Sequence, residues 1–456
     1  MAKETEIKLR ISPASLATLR EHPSLAARGV GQWQTRELLN RYYDTADFAL
    51  ANSQVALRIR RDGEQLIQTL KSKGASVAGL SERNEWDWFI KVNRLVLSHL
   101  DDSCWPDNLR ELDKKQLKVV FSTDFNRQYA ELRWQRAGVE TVIEVALDQG
   151  VVVAGQHQED ICEVELELRA GDPAALFELA LELATDVALM PCDISKAERG
   201  YRLFDSNSYS VAAQPADLTA ETPLDDAFSA VAWQLLGNSQ RLAEQYRFNG
   251  HWKLLEQWFQ QLINLRAVLG SLGQAVPRVA SHELRAQLDA LIEDWRGRIM
   301  AGADEQSVRE TAPLEFAGEL DGTRWGVFSL QAAVWLHNRH WQSKRTARGA
   351  RQGAATLENW LLQFLKEEAQ ALQVNRYMRQ PEDLAEQAPR LERLLAWLQA
   401  ARHLTDLVDS DRLFGVLREL HSLALQPLDA EALVARRELL GTVLTLNAWK
   451  QLKRSV

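Results

Sequence analysis

The sequence predicts an α+β fold, an eight-stranded antiparallel β-barrel followed by an all-α helical bundle. Three observations predict it. Up to residue 205 short segments alternate apolar and polar residues with period two, and beyond it apolar residues recur at helical spacing. Residues 206–221, between the halves, are small and polar and read as a linker. The polar faces of the strands are almost purely ionic, where an ordinary solvated face mixes in Ser, Thr, Asn and Gln. The division predicted is therefore a barrel domain over 1–205, the linker, and a helical domain over 222–456.

Strand candidates begin near Lys3, Leu38, Val55, Gln65, Leu80, Phe125, Glu140 and Glu159. Asp62-Gly63 marks a hairpin turn between the third and fourth. Ser12-Pro13 and Asp172-Pro173 each carry a cap residue followed by proline in the first helical turn. Ser195-Lys196-Ala197-Glu198 is a capping box that opens a last short helix, which makes Ser195 a cap and not a nucleophile. In the second half Leu224, Phe228, Val231 and Leu235 share one helical stripe, as do Trp258, Leu262, Leu265, Leu269 and Leu272. Pro277, Pro381 and Pro427 punctuate the helices that follow. Ten of the fifteen tryptophans lie beyond residue 205. Trp233, Trp258, Trp335, Trp360 and Trp397 fall on apolar stripes and read as core.

Composition excludes several function classes. The chain of 456 residues has a net charge of −9, the wrong sign for a general nucleic-acid binder. No apolar run approaches the 18 residues or so of a membrane span, and Met1–Glu6 does not open a signal peptide. Cys104, Cys162 and Cys192 are odd in number and widely spaced, so they offer no zinc pattern and fit a reducing, cytoplasmic setting.

Side chains two apart on a strand share a face. That rule groups Glu4, Glu6, Lys8 and Arg10 on the first strand; Arg58 and Arg60; Thr69, Lys71 and Lys73; and Arg83, Glu85 and Asp87. It also groups Arg127, Tyr129, Glu131 and Arg133, then Glu144 and Asp148, then Glu163, Glu165 and Glu167. Apolar residues occupy the opposite face each time. In a closed barrel the faces alternate in and out, and eight strands leave room for side chains or one small ligand. Burying such charges without partners costs several kcal/mol per ion, so an ionic lumen must be wet, internally paired or loaded with a charged ligand. Arg and Lys clusters suit phosphate oxygens, and clustered Glu suits a hard divalent cation. A polyphosphate chain with Mg²⁺ or Mn²⁺ satisfies both sets. Lys73, Asp87 and Arg133 read as solvated strand ends, Arg10 as lying beyond the tunnel mouth, and Tyr43 as core.

These residues resemble the CYTH superfamily, the triphosphate tunnel metalloenzymes. Glu4-Thr5-Glu6-Ile7-Lys8 matches the ExExK signature. Tyr42-Tyr43-Asp44-Thr45, Leu57-Arg58-Ile59-Arg60, Thr69-Leu70-Lys71, Arg83-Asn84-Glu85, Ile143–Asp148, Glu163–Glu167 and Ser195–Tyr201 follow in family order. The stretches Phe121–Phe125 and Ala146–Gly150 look most like the bacterial inorganic triphosphatases that carry an appended helical domain. The resemblance implies a triphosphate-binding tunnel with Glu4, Glu6 and Lys8 as its catalytic set. It implies phosphate binding by Lys8, Arg58, Arg60, Lys71, Arg83, Arg127, Lys196 and Arg199. Metal binding by Glu4, Glu6, Glu165 and Glu167 follows from it too, with Glu144, Asp148 and Glu163 as further candidates. The implied reaction is metal-dependent hydrolysis of inorganic triphosphate to pyrophosphate and phosphate, with no covalent intermediate. The alternatives are a polyphosphate-binding module without turnover, or another activity of the superfamily, thiamine triphosphatase or adenylyl cyclase. Those two activities need a pocket for an organic ring, and Trp86, Trp88 and Trp134 lie on the faces opposite the charge.

The helical half resembles a degenerate CHAD domain, which implies polyphosphate as its partner. It departs from that family's basic helix: Glu256 stands in the histidine position, and Phe259, Ile263 and Asn264 replace arginines. The separate basic run Arg339, His340, Lys344, Arg345, Arg348 and Arg351 reads as a solvated helix face.

Overall fold

Alternating apolar and ionic residues can bury both faces of a sheet only if it curls round the ionic one, and this chain does so. The computed structural model describes residues 2–454 apart from 73, 78, 209, 212–215, 305–309, 311–315, 317 and 319. Its strands are β1 (Ala2–Arg10), β2 (Gln34–Asp44), β3 (Ala56–Asp62), β4 (Gln65–Lys71), β5 (Ala75–Val77), β6 (Leu80–Ile90), β7 (Lys118–Arg136), β8 (Val139–Ala154), β9 (His157–Ala170) and β10 (Met190–Pro191). Eight of them pair antiparallel in the order β1-β9-β8-β7-β2-β3-β4-β6, and β6 pairs back onto β1 from Ala2↔Glu85 to Ile7↔Leu80.

These eight are the strands expected from the sequence. The sheet itself has ten, because β5 extends it beside β6 and β10 beside β1. Segments of three and two residues are too short to show a period. β2 and β7 also start earlier than expected, at Gln34 and Lys118. The β3–β4 hairpin turns at Gly63, whose φ of 58° is the left-handed conformation that such a turn needs.

The apolar face points outward and is covered. Ile7, Leu9, Val145, Val164 and Leu166 are fully buried, and the helix Ala174–Asp186 packs on β1 and β9. On the other side Leu57 and Leu70 join Leu100, Trp105, Leu109 and Leu117, so the segment after β6 covers β3 and β4. Each such side chain contributes roughly 1.5–3 kcal/mol on burial. A further cluster of Leu38, Tyr42, Phe121, Phe125, Val152 and Ala197 seats the helix Lys196–Arg202 against β7 and β8. Gly200 permits that approach, since a Cβ there would lie 2.2 Å from the Phe121 ring.

The chain forms two compact units. The first comprises 1–212, 240–256 and 301–334; the second comprises 213–239, 257–300 and 335–456. The second unit is helical, and tryptophans fill its core. Trp258 and Trp295 pack at 4.6 Å between ring centroids, Trp360 and Trp397 at 4.7 Å. In the basic run, Arg345 is bound to Asp225 at 2.6 Å and Arg339 to Asp226 at 2.6 Å. His340, Lys344, Arg348 and Arg351 are exposed. No described helix is long and apolar enough to cross a membrane.

Candidate active site

Register across β8, β9 and β1 sets three rungs on the inner face of the barrel. The first is Glu144, Glu167 and Glu6; the second Ala146, Glu165 and Lys8; the third Asp148, Glu163 and Arg10. The third rung is neutralised by its own cations. Lys196 Nζ donates to Asp148 at 2.6 Å and to Glu165 at 3.0 Å, and it also bonds Glu163. Arg127 grips Asp148 through two nitrogens at 2.8 and 2.7 Å and also bonds Glu165. Arg199 forms an ion pair with Glu163 at 2.9 Å. Burial would raise the Glu165 pKa, but Lys196, Arg127 and Lys8 hold it well below the usual carboxylate range. Asp148, Glu163 and Glu165 are close enough together to bind a cation. The Lys196 ammonium already serves as theirs.

The first rung differs. Glu6 is bonded by Lys8, and Glu167 by Arg169, which also lies 3.1 Å from Glu144. These cations do not balance the rung. Burial, against the pull of Lys8, and then the charges of Glu165 and Glu4 raise the Glu6 pKa. Burial together with Glu4, Glu6 and Glu144 pushes Glu167 up to about 8. Glu4 is compensated by comparison: Lys71 lies 2.6 Å away, and Lys71 and Lys8 outweigh burial and bring Glu4 down to about 2.

The facing wall is basic. Arg58 sits beside Tyr42 and lies 3.5 Å from Glu85, which also pairs with Lys71 at 3.1 Å. Arg60 donates from Nε to Asn40 Oδ1 at 2.9 Å, and among the described residues no carboxylate forms a salt bridge with it. Burial, with Arg58 and Arg127 beside it, lowers the Arg60 pKa to about 10.

Between these walls lies a cavity of about 290 Å³. Of the residues chosen from sequence it brings together Glu4, Glu6, Lys8, Arg58, Arg60, Lys71, Arg127, Glu144, Glu165, Glu167 and Lys196. Asp148, Glu163 and Arg199 are not on its surface; they are buried in the ion cluster behind it. The side chain of Arg83 and the whole of Lys73 lie outside the described residues. Arg10, expected beyond the mouth, is buried against Glu244 and Asp321 at 2.7 and 2.8 Å. Asp87 is exposed, as expected of a solvated strand end, and it also borders the cavity and accepts the Thr69 hydroxyl at 2.6 Å. Arg133 is exposed as expected, paired with Glu131 and Glu140.

Sequence reasoning assigned no site role to Arg36, Tyr42, Asp62, Tyr129 and Arg169, all of which line the cavity. Arg169 continues the period of Glu163, Glu165 and Glu167 and could have been found that way. Arg36 was missed because β2 starts four residues earlier than expected. Tyr129 stands on the inner face, as its grouping with Arg127 predicts, and the Arg36 guanidinium lies over its ring at 4.7 Å.

The raised Glu167 pKa has a measurable consequence. A carboxyl whose pKa is higher folded than unfolded contributes stability in full below its unfolded value of 4.5, and loses it as pH rises through about 8. The metal-free protein should therefore lose on the order of a few kcal/mol between pH 5 and pH 8.5. A divalent cation displaces that proton, so Mg²⁺ should raise the melting temperature far more at pH 8.5 than at pH 5. An equal rise at both pH values would remove Glu167 from the cation-binding set.

The CYTH domain profile matches residues 2–201. The inorganic triphosphatase of Haemophilus influenzae is 34% identical over 203 residues, which are 44% of this chain and 55% of that protein. The chain thus spans about half the length of this curated relative. Among solved structures, a Hippeastrum protein described as a candidate adenylyl cyclase with a dominant triphosphatase activity aligns at 20% identity and TM-score 0.32, over 43% of this chain and 95% of that one. A candidate adenylate cyclase from Bacillus halodurans aligns at 21% identity and TM-score 0.29, over 44% of this chain and 98% of that one. The ionic barrel thus lies within the stretch of the chain, residues 2–201, that is similar to the CYTH domain.

Proposed function

We propose that the barrel hydrolyses inorganic triphosphate to pyrophosphate and phosphate with the help of a divalent cation. The observation that carries this reading is Arg60, a guanidinium inside the barrel with like charges on both sides and an amide as its partner. Such a group is stabilised by an anion that reaches Arg58, Arg60 and Arg127 together, and a triphosphate offers oxygens to all three. Lys8 and Lys71 would meet the same chain from the other wall, with Lys196 behind them.

The donors on the first rung fit a hard cation, since they are all carboxylates and one holds a proton that a cation would replace. Mg²⁺ or Mn²⁺ would be held by Glu4, Glu6, Glu144 and Glu167, and when bound it neutralises charge on the phosphate oxygens. Glu165, kept ionised by its cations, would accept a hydrogen bond from the attacking water. Asp148 and Glu163 hold Lys196, Arg127 and Arg199 in place and are not needed as ligands. For the helical half, His340, Lys344, Arg348 and Arg351 are the exposed set that would meet polyphosphate.

One observation favours a second reading. The Tyr129 ring under Arg36 could stack on an organic group attached to the triphosphate. Phosphate release from triphosphate, thiamine triphosphate, ATP and long-chain polyphosphate, measured side by side with Mg²⁺ and with Mn²⁺, tests both. Triphosphate should give the highest kcat/KM. Faster release from an organic triphosphate would transfer the assignment, and binding without release from any of them would make the barrel a binding module.

A further inference from the structure

Two buried charged residues from outside residues 2–201 reach the back of the site. Both sit on the helix Leu224–Asn249: Arg241 is 5% exposed and Glu244 4%. Arg241 bonds Glu198 and lies 3.4 Å from Asp193. Glu244 accepts the Arg10 Nε–H at 2.7 Å, and Arg10 also meets Asp321 at 2.8 Å. Their partners flank site residues. Glu198 belongs to the helix Lys196–Arg202, whose first residue is the cavity lysine, and Arg10 is the next inward position on β1 after Lys8.

The Lys196 helix has seven residues, too few to hold its form without tertiary support. Ser195 caps it, Gly200 seats it on Phe121, and Arg241 ties its outer side. If it drifts outward, Lys196 leaves Asp148, Glu163 and Glu165, and the ion cluster behind the cavity is left one cation short. We infer that Arg241 and Glu244 are positioning residues for the tunnel, Arg241 by fixing the helix that delivers Lys196 and Glu244 by fixing the end of β1 that follows Lys8.

The kinetic arm of the test rests on the proposed triphosphatase reading; the labelling arm does not. In the full-length protein, Lys196 is 7% exposed and should resist acetylation read by mass spectrometry. Arg241→Gln should raise its labelling rate about tenfold by easing local opening. The same variant should raise KM for triphosphate about tenfold with kcat within about threefold. Glu198→Gln should act in the same direction, and the double variant should be no worse than Arg241→Gln, because both changes break one link. Glu244→Gln should raise KM without exposing Lys196. Arg266→Ala, which removes a surface pair with Asp289, should change neither readout. Lys196 still protected in Arg241→Gln, or Arg241→Gln and Glu198→Gln effects that multiply, would overturn the inference. Should Arg241→Gln fail to fold, Glu198→Gln decides alone: its side chain is 38% exposed, and faster Lys196 labelling supports the inference while unchanged labelling overturns it. A native chain that releases no phosphate would sink the triphosphatase reading and leave the labelling result standing.

Discussion

Glu6→Gln should cost at least on the order of 10²-fold in metal-dependent phosphate release, since even residues that only orient metal ligands cost 10–100-fold when lost. Glu6 is 5% exposed and sits in the middle of the carboxylates, opposite Glu167 and two positions from Glu4. Its charge is disfavoured by burial first, and then by Glu165 and Glu4. Glutamine keeps the shape and removes that unfavourable charge, so the barrel should melt within a few degrees of the native protein. Lys8 keeps a carboxylate, because Glu165 lies 3.7 Å from it. The two readouts therefore separate, with turnover falling and folding unaffected. Phosphate release titrated with Mg²⁺ and Mn²⁺, alongside a thermal melt, checks both. Near-native turnover would strike Glu6 from the cation-binding set, and a collapsed melt would show that Glu6 is structural.

Much of the barrel was legible because one physical constraint repeats along the chain. In β1 and β9 the runs Glu4-Glu6-Lys8-Arg10 and Glu163-Glu165-Glu167-Arg169 alternate with residues that are mostly Ile, Leu or Val, so strand assignment and inner face follow together. Closure was legible for the same reason, since a sheet with one apolar face and one ionic face leaves the ionic side enclosed only if it curls. β5 and β10 were not legible, because three residues and two carry no period. The start of β2 was hidden as well. Gln34, Thr35, Arg36 and Glu37 are all exposed, and the pattern begins only where Leu38 turns inward.

The site was legible as a composition and less so as a pairing. Sequence alone placed carboxylates and cations in one lumen but not which would neutralise which. Asp148 and Glu163 looked like Glu167, yet Lys196, Arg127 and Arg199 take them, and these partners come from 21 to 48 residues away. Arg241 and Glu244 were out of reach of that reasoning altogether. They lie on a helix with ordinary amphipathic spacing, and nothing local marks their partners in the barrel.

The same pairing makes the expected result for Arg60→Met unlike that for its neighbours. Arg127 is matched by Asp148 and Glu165, so removing it leaves buried carboxylates uncompensated and should destabilise the fold. Arg60 is pressed between Arg58 and Arg127, with Asn40 as its hydrogen-bonding partner. Removing it relieves repulsion, so the ligand-free protein should melt at the same temperature or higher. The substrate would lose a charge-assisted contact worth about 1.5–3 kcal/mol, roughly a 10- to 100-fold fall in kcat/KM. Triphosphate should also lose most of its power to raise the melting temperature, because ligand stabilisation scales with affinity. A variant both more stable when empty and poorer at binding is the signature of a charge held ready for an anion. An Arg60→Met protein that is less stable and keeps its native KM would mean that this guanidinium supports the wall, and the case for a triphosphate in the barrel would lose its main support.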